Sequence, residues 1–105
     1  MTAVVLDTHA ALWWSFFPEK LSRASAAALT EADDLVFPAI VFWEVSLLLR
    51  KGRIELPVNA TAWLQGLKTT ARAKIAPLTA EIALRADRLR MHDDPADRFI
   101  VATAL

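Results

Sequence analysis

The chain has 105 residues, of which 55% are hydrophobic and 23% charged, and twelve Lys and Arg balance twelve Asp and Glu. These values predict one small globular domain and exclude a disordered chain. No apolar run reaches the ~20 residues of a membrane span, and no secretion signal precedes the first strand, so we expect a cytoplasmic protein without a membrane segment. The absence of cysteine excludes disulfides and thiolate metal sites, and the even charge balance disfavours nucleic-acid binding through a global basic field.

Short apolar runs alternate with helix-forming segments along the whole chain. Strands are predicted at residues 4–6, 35–37 and 74–78, the first of them buried on both faces. Helices are predicted at residues 9–16, 23–31, 39–50, 59–71, 80–90 and 95–105. This alternation predicts an α/β fold built on a parallel sheet.

Asp7 directly follows the first predicted strand. Open α/β sheets bind their ligands beyond the carboxyl ends of their strands, so an acid at this position is a candidate site residue. Asp is also an ordinary N-cap at the start of a helix. On this segment alone both interpretations stand.

Glu44 is an anomaly in the helix predicted at residues 39–50, which is apolar nearly all the way round and is expected to be buried on most sides. An unpaired buried carboxylate costs several kcal/mol. The residues three and four positions away provide no cation, since they are Ile40, Val41, Leu47 and Leu48. Glu44 therefore lies at a solvent cleft, pairs with a distant arginine, or helps to hold a metal ion.

Asp97 lies in the first turn of the last predicted helix, where compensation of the helix dipole would also explain an acid. Together with Asp7 and Glu44, it falls on the side where a parallel sheet presents its carboxyl ends. Carboxylates suit Mg²⁺ or Mn²⁺, and the natural chemistry of such a site is phosphodiester hydrolysis. Neither His9 nor His92 is needed, and each is interpreted as a local hydrogen-bonding residue.

Four segments of the chain then carry a family resemblance. They are LDTHAALW at residues 6–13, WEV at 43–45, KGRIELP at 51–57 and DPADRFIVATA at 94–104. The segments resemble those of PIN domains of the VapC toxin type, the nuclease half of bacterial toxin–antitoxin pairs, and they occur in the family's order across nearly the whole chain.

The resemblance implies a three-layer α/β/α PIN-like fold with a short parallel sheet, formed as a single domain over residues 1–105. It also implies an endoribonuclease that depends on Mg²⁺ or Mn²⁺, acts on RNA, forms a homodimer and is inhibited by a VapB-like antitoxin. The family's catalytic and metal-binding acids fall on Asp7, Glu44 and Asp97. Thr8 is implied as a supporting hydroxyl.

Two departures from the family pattern affect these expectations. Residues 38–41 lack the hydroxyl side chains that often precede the Trp–Glu pair. The chain also ends before the family's next strand and fourth acidic residue, so we expect a domain incomplete at its C-terminus, with the first strand left at a bare sheet edge.

A second hypothesis follows from the second departure. The chain would be a truncated, non-catalytic PIN remnant that binds an antitoxin or a sister subunit. The contact would use exposed aromatic residues of the first helix and its end, for which core packing is the alternative explanation. These residues are Trp13, Trp14, Phe16 and Phe17.

Overall fold

The structure is a computed structural model and describes residues 2–87. In chain order its elements are β1 (Ala3–Val5), α1 (Thr8–Phe16), a 3₁₀ turn (Pro18–Lys20), α2 (Arg23–Glu31), β2 (Asp34–Pro38), α3 (Ala39–Arg50), α4 (Ala60–Lys68), β3 (Ala73–Ala76) and α5 (Ala80–Asp87). This alternation confirms the predicted α/β class. The helix predicted at residues 95–105 lies outside the described residues.

The three strands form one parallel sheet in the order β1-β2-β3. Val4 pairs with Leu35, and Val36 pairs with Lys74. One residue beyond β1, the Leu6 amide donates a 2.9 Å hydrogen bond to the Val36 carbonyl. Because all strands run in the same direction, the carboxyl ends of β1 and β2 lie at one edge of the sheet, immediately before α1 and α3.

Strand β1 differs from its prediction as a strand buried on both faces. Ala3 is exposed, and Val4 and Val5 are only partly buried. Among residues 2–87, β1 pairs with β2 alone, which makes β1 an edge strand of the described sheet. Apolar content identified the strand correctly, but burial depends on which neighbours cover each face.

Four helix starts within residues 2–87 are defined by side-chain caps. Asp7, Ser22, Asn59 and Thr79 each accept a hydrogen bond from the backbone amide three residues later, at 2.8, 3.1, 2.8 and 3.2 Å. Each such cap is worth about 1 kcal/mol. Helix α3 ends as predicted, with Gly52 at a φ of +69° just beyond it, a conformation that favours glycine.

Helix α4 is shorter than predicted, since it ends at Lys68 rather than near residue 71. The hydroxyls of Thr69 and Thr70 both donate to the Gly66 carbonyl, at 2.8 and 3.0 Å. Such side-chain bonds offer the last turn an alternative to further helical hydrogen bonds.

The core forms where the sheet packs against helices α1, α2, α3 and α4. Its fully buried side chains include Leu35 and Phe37 of the central strand and Val41 and Val45 of α3. Trp63 of α4 completes it, with a 2.9 Å hydrogen bond from its indole nitrogen to the Ser15 hydroxyl in α1. No helix in residues 2–87 is long and apolar enough to cross a membrane.

The aromatic residues of α1 are not the exposed surface that the second hypothesis requires. All four are partly buried, and Trp13, Trp14 and Phe16 pack against the core. The Trp14 ring centroid, for example, lies 5.9 Å from that of Phe37. Core packing therefore explains Trp13, Trp14 and Phe16.

Helix α3 is buried or partly buried on most sides, as expected, but one stripe is exposed. Val41 and Val45 face the core, whereas Trp43, Ser46 and Arg50 are exposed, Trp43 by 55%. A helix that is apolar all round contains no signal for which stripe packs inward, and here the sheet selects the stripe with Val41 and Val45.

Candidate functional site

The Asp7 carboxylate lies at the junction between β1 and α1, where it caps α1. Its Oδ1 atom accepts a hydrogen bond from the Ala10 amide at 2.8 Å. The side chain is exposed, and its second oxygen accepts no hydrogen bond within residues 2–87. Capping and ligand binding are thus compatible, since one oxygen orients the carboxylate and the other is free to bind a cation.

Thr8 joins this junction to helix α3. It is only 3% exposed, and its Oγ1 donates a 2.8 Å hydrogen bond to Oε2 of Glu44. Glu44 itself is partly buried. Because Thr8 is the chain neighbour of Asp7, this contact places the two acids that follow β1 and β2 at the same edge of the sheet.

The contact narrows the three explanations for Glu44. Within residues 2–87, the partner of its carboxylate is a hydroxyl, and the structure contains no ion pair to it from a lysine or arginine in that range. A half-buried carboxylate with a single neutral donor retains lone pairs for another ligand. A solvent cleft or a metal ion therefore explains Glu44 better than an arginine of the described chain does.

The third predicted ligand, Asp97, lies outside the described residues, as does His92. Within residues 2–87, no group of three or more His, Asp and Glu side chains is arranged to hold a metal ion. The described part of the site thus comprises Asp7, Thr8 and Glu44, and the roles of these residues and of Asp97 as metal ligands or catalytic groups stay predictions.

A cavity of about 580 Å³ opens beside Asp7, between α1, the 3₁₀ turn and the start of α2. Its lining side chains include His9, Trp13 and Lys20. Sequence reasoning placed Trp13 in a possible protein-contact surface and assigned neither His9 nor Lys20 to a site. The i, i+4 spacing of His9 and Trp13 predicts that they share one side of α1, but the proximity of Lys20 depends on how the 3₁₀ turn folds back.

Replacing Thr8 by Val should lower the free energy of unfolding by about 1.5–3 kcal/mol, because it removes a hydrogen bond to a charged, partly buried carboxylate at nearly constant side-chain volume. Urea denaturation measures the change. In a Glu44→Gln background the same substitution should cost less, since the acceptor is then neutral. Equal costs in the two backgrounds would show that the Thr8–Glu44 bond does not stabilise the carboxylate.

Two comparisons with known proteins assign the family. The PIN domain profile matches residues 4–105. Ribonuclease VapC22 of Mycobacterium tuberculosis (strain ATCC 25618 / H37Rv) is 40% identical over 107 aligned residues, which cover 100% of this chain and 81% of that protein. No solved structure matches significantly. With its parallel α/β sheet and a match over nearly its whole length, the chain belongs to the PIN-domain family and is of the VapC type.

Proposed function

We propose that the protein is a metal-dependent endoribonuclease toxin of a toxin–antitoxin pair, which hydrolyses RNA phosphodiester bonds. The relative named ribonuclease VapC22 supports the class of reaction. The observation that carries the proposal in this chain is the hydrogen bond from Thr8 to Glu44, because it brings an acid from α3 to the end of β1, beside Asp7.

The proposed metal ligands are Asp7, Glu44 and Asp97, with Mg²⁺ or Mn²⁺ as the ion. The described donors fit such an ion in kind, because carboxylate oxygens are the ligands that these hard cations prefer. Asp7 and Glu44 each have one oxygen committed to a protein donor and one without a hydrogen bond inside residues 2–87. When bound, the ion would activate a water for attack on phosphorus and offset charge on the leaving oxygen.

The protein side of this mechanism is largely orientation. The Ala10 amide fixes the Asp7 carboxylate through the cap, and the Thr8 hydroxyl fixes that of Glu44. Groups held in this way need not reorganise when charge develops during the reaction, and such preorganisation is a large part of electrostatic catalysis. Thr8 therefore acts as a positioning residue in the proposal.

A VapB-like antitoxin, a homodimer and a cytoplasmic location are proposed on the family relationship. One surface feature supports a protein partner: 55% of the Trp43 side chain is exposed on α3, next to Glu44 in the chain. Large exposed aromatic residues are enriched at protein interfaces. The alternative of a non-catalytic remnant loses its proposed contact surface, since the aromatic residues of α1 pack against the core.

Removal of divalent ions tests the proposed function. Chelation with EDTA should reduce cleavage of a labelled single-stranded RNA to background, and excess Mg²⁺ or Mn²⁺ should restore it, because the carboxylates alone provide no positive charge to offset the transition state. Gel analysis of the products over time measures the rate.

Two results would contradict the proposal in different ways. Undiminished cleavage in EDTA would reject the metal-dependent mechanism. An absence of cleavage with either ion, over a panel of structured and unstructured RNAs, would reject the enzyme and favour the non-catalytic remnant.

A further inference from the structure

The cavity beside Asp7 combines three chemical features that the proposed hydrolysis does not use. Its lining includes the imidazole of the exposed residue His9, the indole of the partly buried Trp13 and the ammonium-bearing side chain of the exposed Lys20. Its volume of about 580 Å³ lies in the range of small-ligand sites.

His9 and Trp13 form a paired aromatic surface on α1. Their ring centroids lie 5.7 Å apart, with the planes tilted by 53°. Trp13 also packs against the core, which anchors the indole, while His9 is exposed. An anchored aromatic ring that also lines an open cavity is the usual platform on which single-stranded nucleic acids stack a base.

Lys20 provides the positive charge of the same cavity. Its ammonium lies 5.0 Å from the centroid of the Phe17 ring, a distance typical of a cation–π contact. Within residues 2–87 no carboxylate neutralises it through an ion pair. The ammonium is therefore available to a phosphate.

We propose that this cavity binds one nucleotide of single-stranded RNA adjacent to the cleaved bond. The base stacks on the Trp13 indole, the tilted His9 ring contacts the edge of the base, and a phosphate of the nucleotide lies beside Lys20. The inference rests on the proposed ribonuclease function, and it adds a substrate subsite: because Asp7 lines the same cavity, the stacked nucleotide neighbours the phosphate on which the metal acts.

The features favour RNA over a peptide ligand. The cavity combines the flat face of the Trp13 indole with the Lys20 ammonium, which has no ion pair within residues 2–87, and these two groups match a base and its phosphate. Stacking tolerates any base, since every base has a π face, so the site contributes affinity and register more than base identity. It requires an unpaired nucleotide, which selects single-stranded segments.

RNAs with single abasic positions test the stacking directly. Binding of the full chain to a short labelled RNA is measured by fluorescence anisotropy in metal-free buffer, so that cleavage does not interfere. One abasic position should weaken binding to the wild type by about 5- to 150-fold, the range that corresponds to loss of one stacked base. Trp13→Leu should bind the intact and the abasic RNA with nearly equal affinity.

Trp14→Leu is the matched control, because it makes the same change one residue further along α1. Trp14 lies against Phe37 and lines a different cavity, so this variant should keep the full abasic penalty. His9→Ala alters an exposed side chain and should reduce the penalty without disturbing the core. Circular dichroism is used to check that each variant is folded. If Trp13→Leu does not fold, the abasic penalty of His9→Ala provides the test.

Salt dependence tests the cation separately. Lys20→Ala should reduce the slope of log affinity against log salt by about 0.7, the value for one phosphate contact on a single strand. Lys68→Ala removes an exposed lysine that does not line the cavity and should leave the slope unchanged.

The outcomes separate this inference from the proposed function. No abasic penalty in the wild type, no detectable RNA binding, or the same penalty in the wild type and His9→Ala would overturn the subsite, even if metal-dependent cleavage is observed. A position-specific penalty that disappears in Trp13→Leu would support the subsite. If that penalty were observed without RNA cleavage, the proposed hydrolytic function would be rejected and the nucleotide site would be retained.

Discussion

Asp7→Asn should reduce the kcat/KM for RNA cleavage by about a hundredfold or more, the loss that is typical when one element of electrostatic stabilisation is removed from an active site. The substitution removes the negative charge that would hold the ion but preserves the cap. Asn is as good an N-cap as Asp, so the hydrogen bond from the Ala10 amide is retained. The free energy of unfolding should therefore change little, and any loss of activity reflects the site.

Asp34→Asn provides the matched control for this experiment. Asp34 begins β2 and pairs in register with Ala3, so it lies at the amino end of the sheet, opposite the edge that carries Asp7. The same chemical change there should leave the cleavage rate within about twofold. Equal rates for the wild type and Asp7→Asn would reject the assignment of catalysis to this acid.

The sequence predicted best those features that depend on residues close together in the chain. A cap is an interaction over three residues, and the helices predicted to begin at residues 9, 23 and 59 start within one residue of those positions. The strands were recognisable from β-branched and apolar runs, and the α/β alternation then implied their parallel order.

Burial was predicted less well, because it depends on long-range packing. Trp14 and Trp43 both lie in strongly apolar helices, yet the first packs on Phe37 and the second is 55% exposed. In neither helix does the distribution of apolar residues single out one face, so the choice is made by the sheet and the neighbouring helices.

In the candidate site too, features that depend on neighbouring residues were predicted and contacts between distant residues were not. The acids Asp7 and Glu44 were identified because a carboxylate among apolar residues is conspicuous in a sequence. Their link through Thr8 spans 36 positions in the chain, and only the family resemblance gave that hydroxyl a role. Lys20 was missed because a lysine in a turn resembles any solvated lysine until the fold places it beside Trp13.

The contribution of core burial to stability can be measured at Phe37. Phe37→Ala should lower the free energy of unfolding by about 3–5 kcal/mol, since the side chain is 0% exposed in the central strand and its removal leaves a cavity beside Trp14. That is a large part of the 5–15 kcal/mol typical of a folded domain, so Phe37→Leu is the milder variant to measure if the alanine variant does not fold.

Trp43→Ala provides the control for Phe37→Ala, because it removes an exposed aromatic side chain instead of a buried one. It removes a larger aromatic side chain, but from a position that is mostly in solvent, and alanine favours the helix, so the change should stay within about 0.5 kcal/mol. Urea denaturation of both variants measures the difference. Comparable losses at the two positions would mean that Trp43 is covered in solution, either by a second copy of the chain or by another part of it, and that α3 contributes a buried interface rather than an open surface.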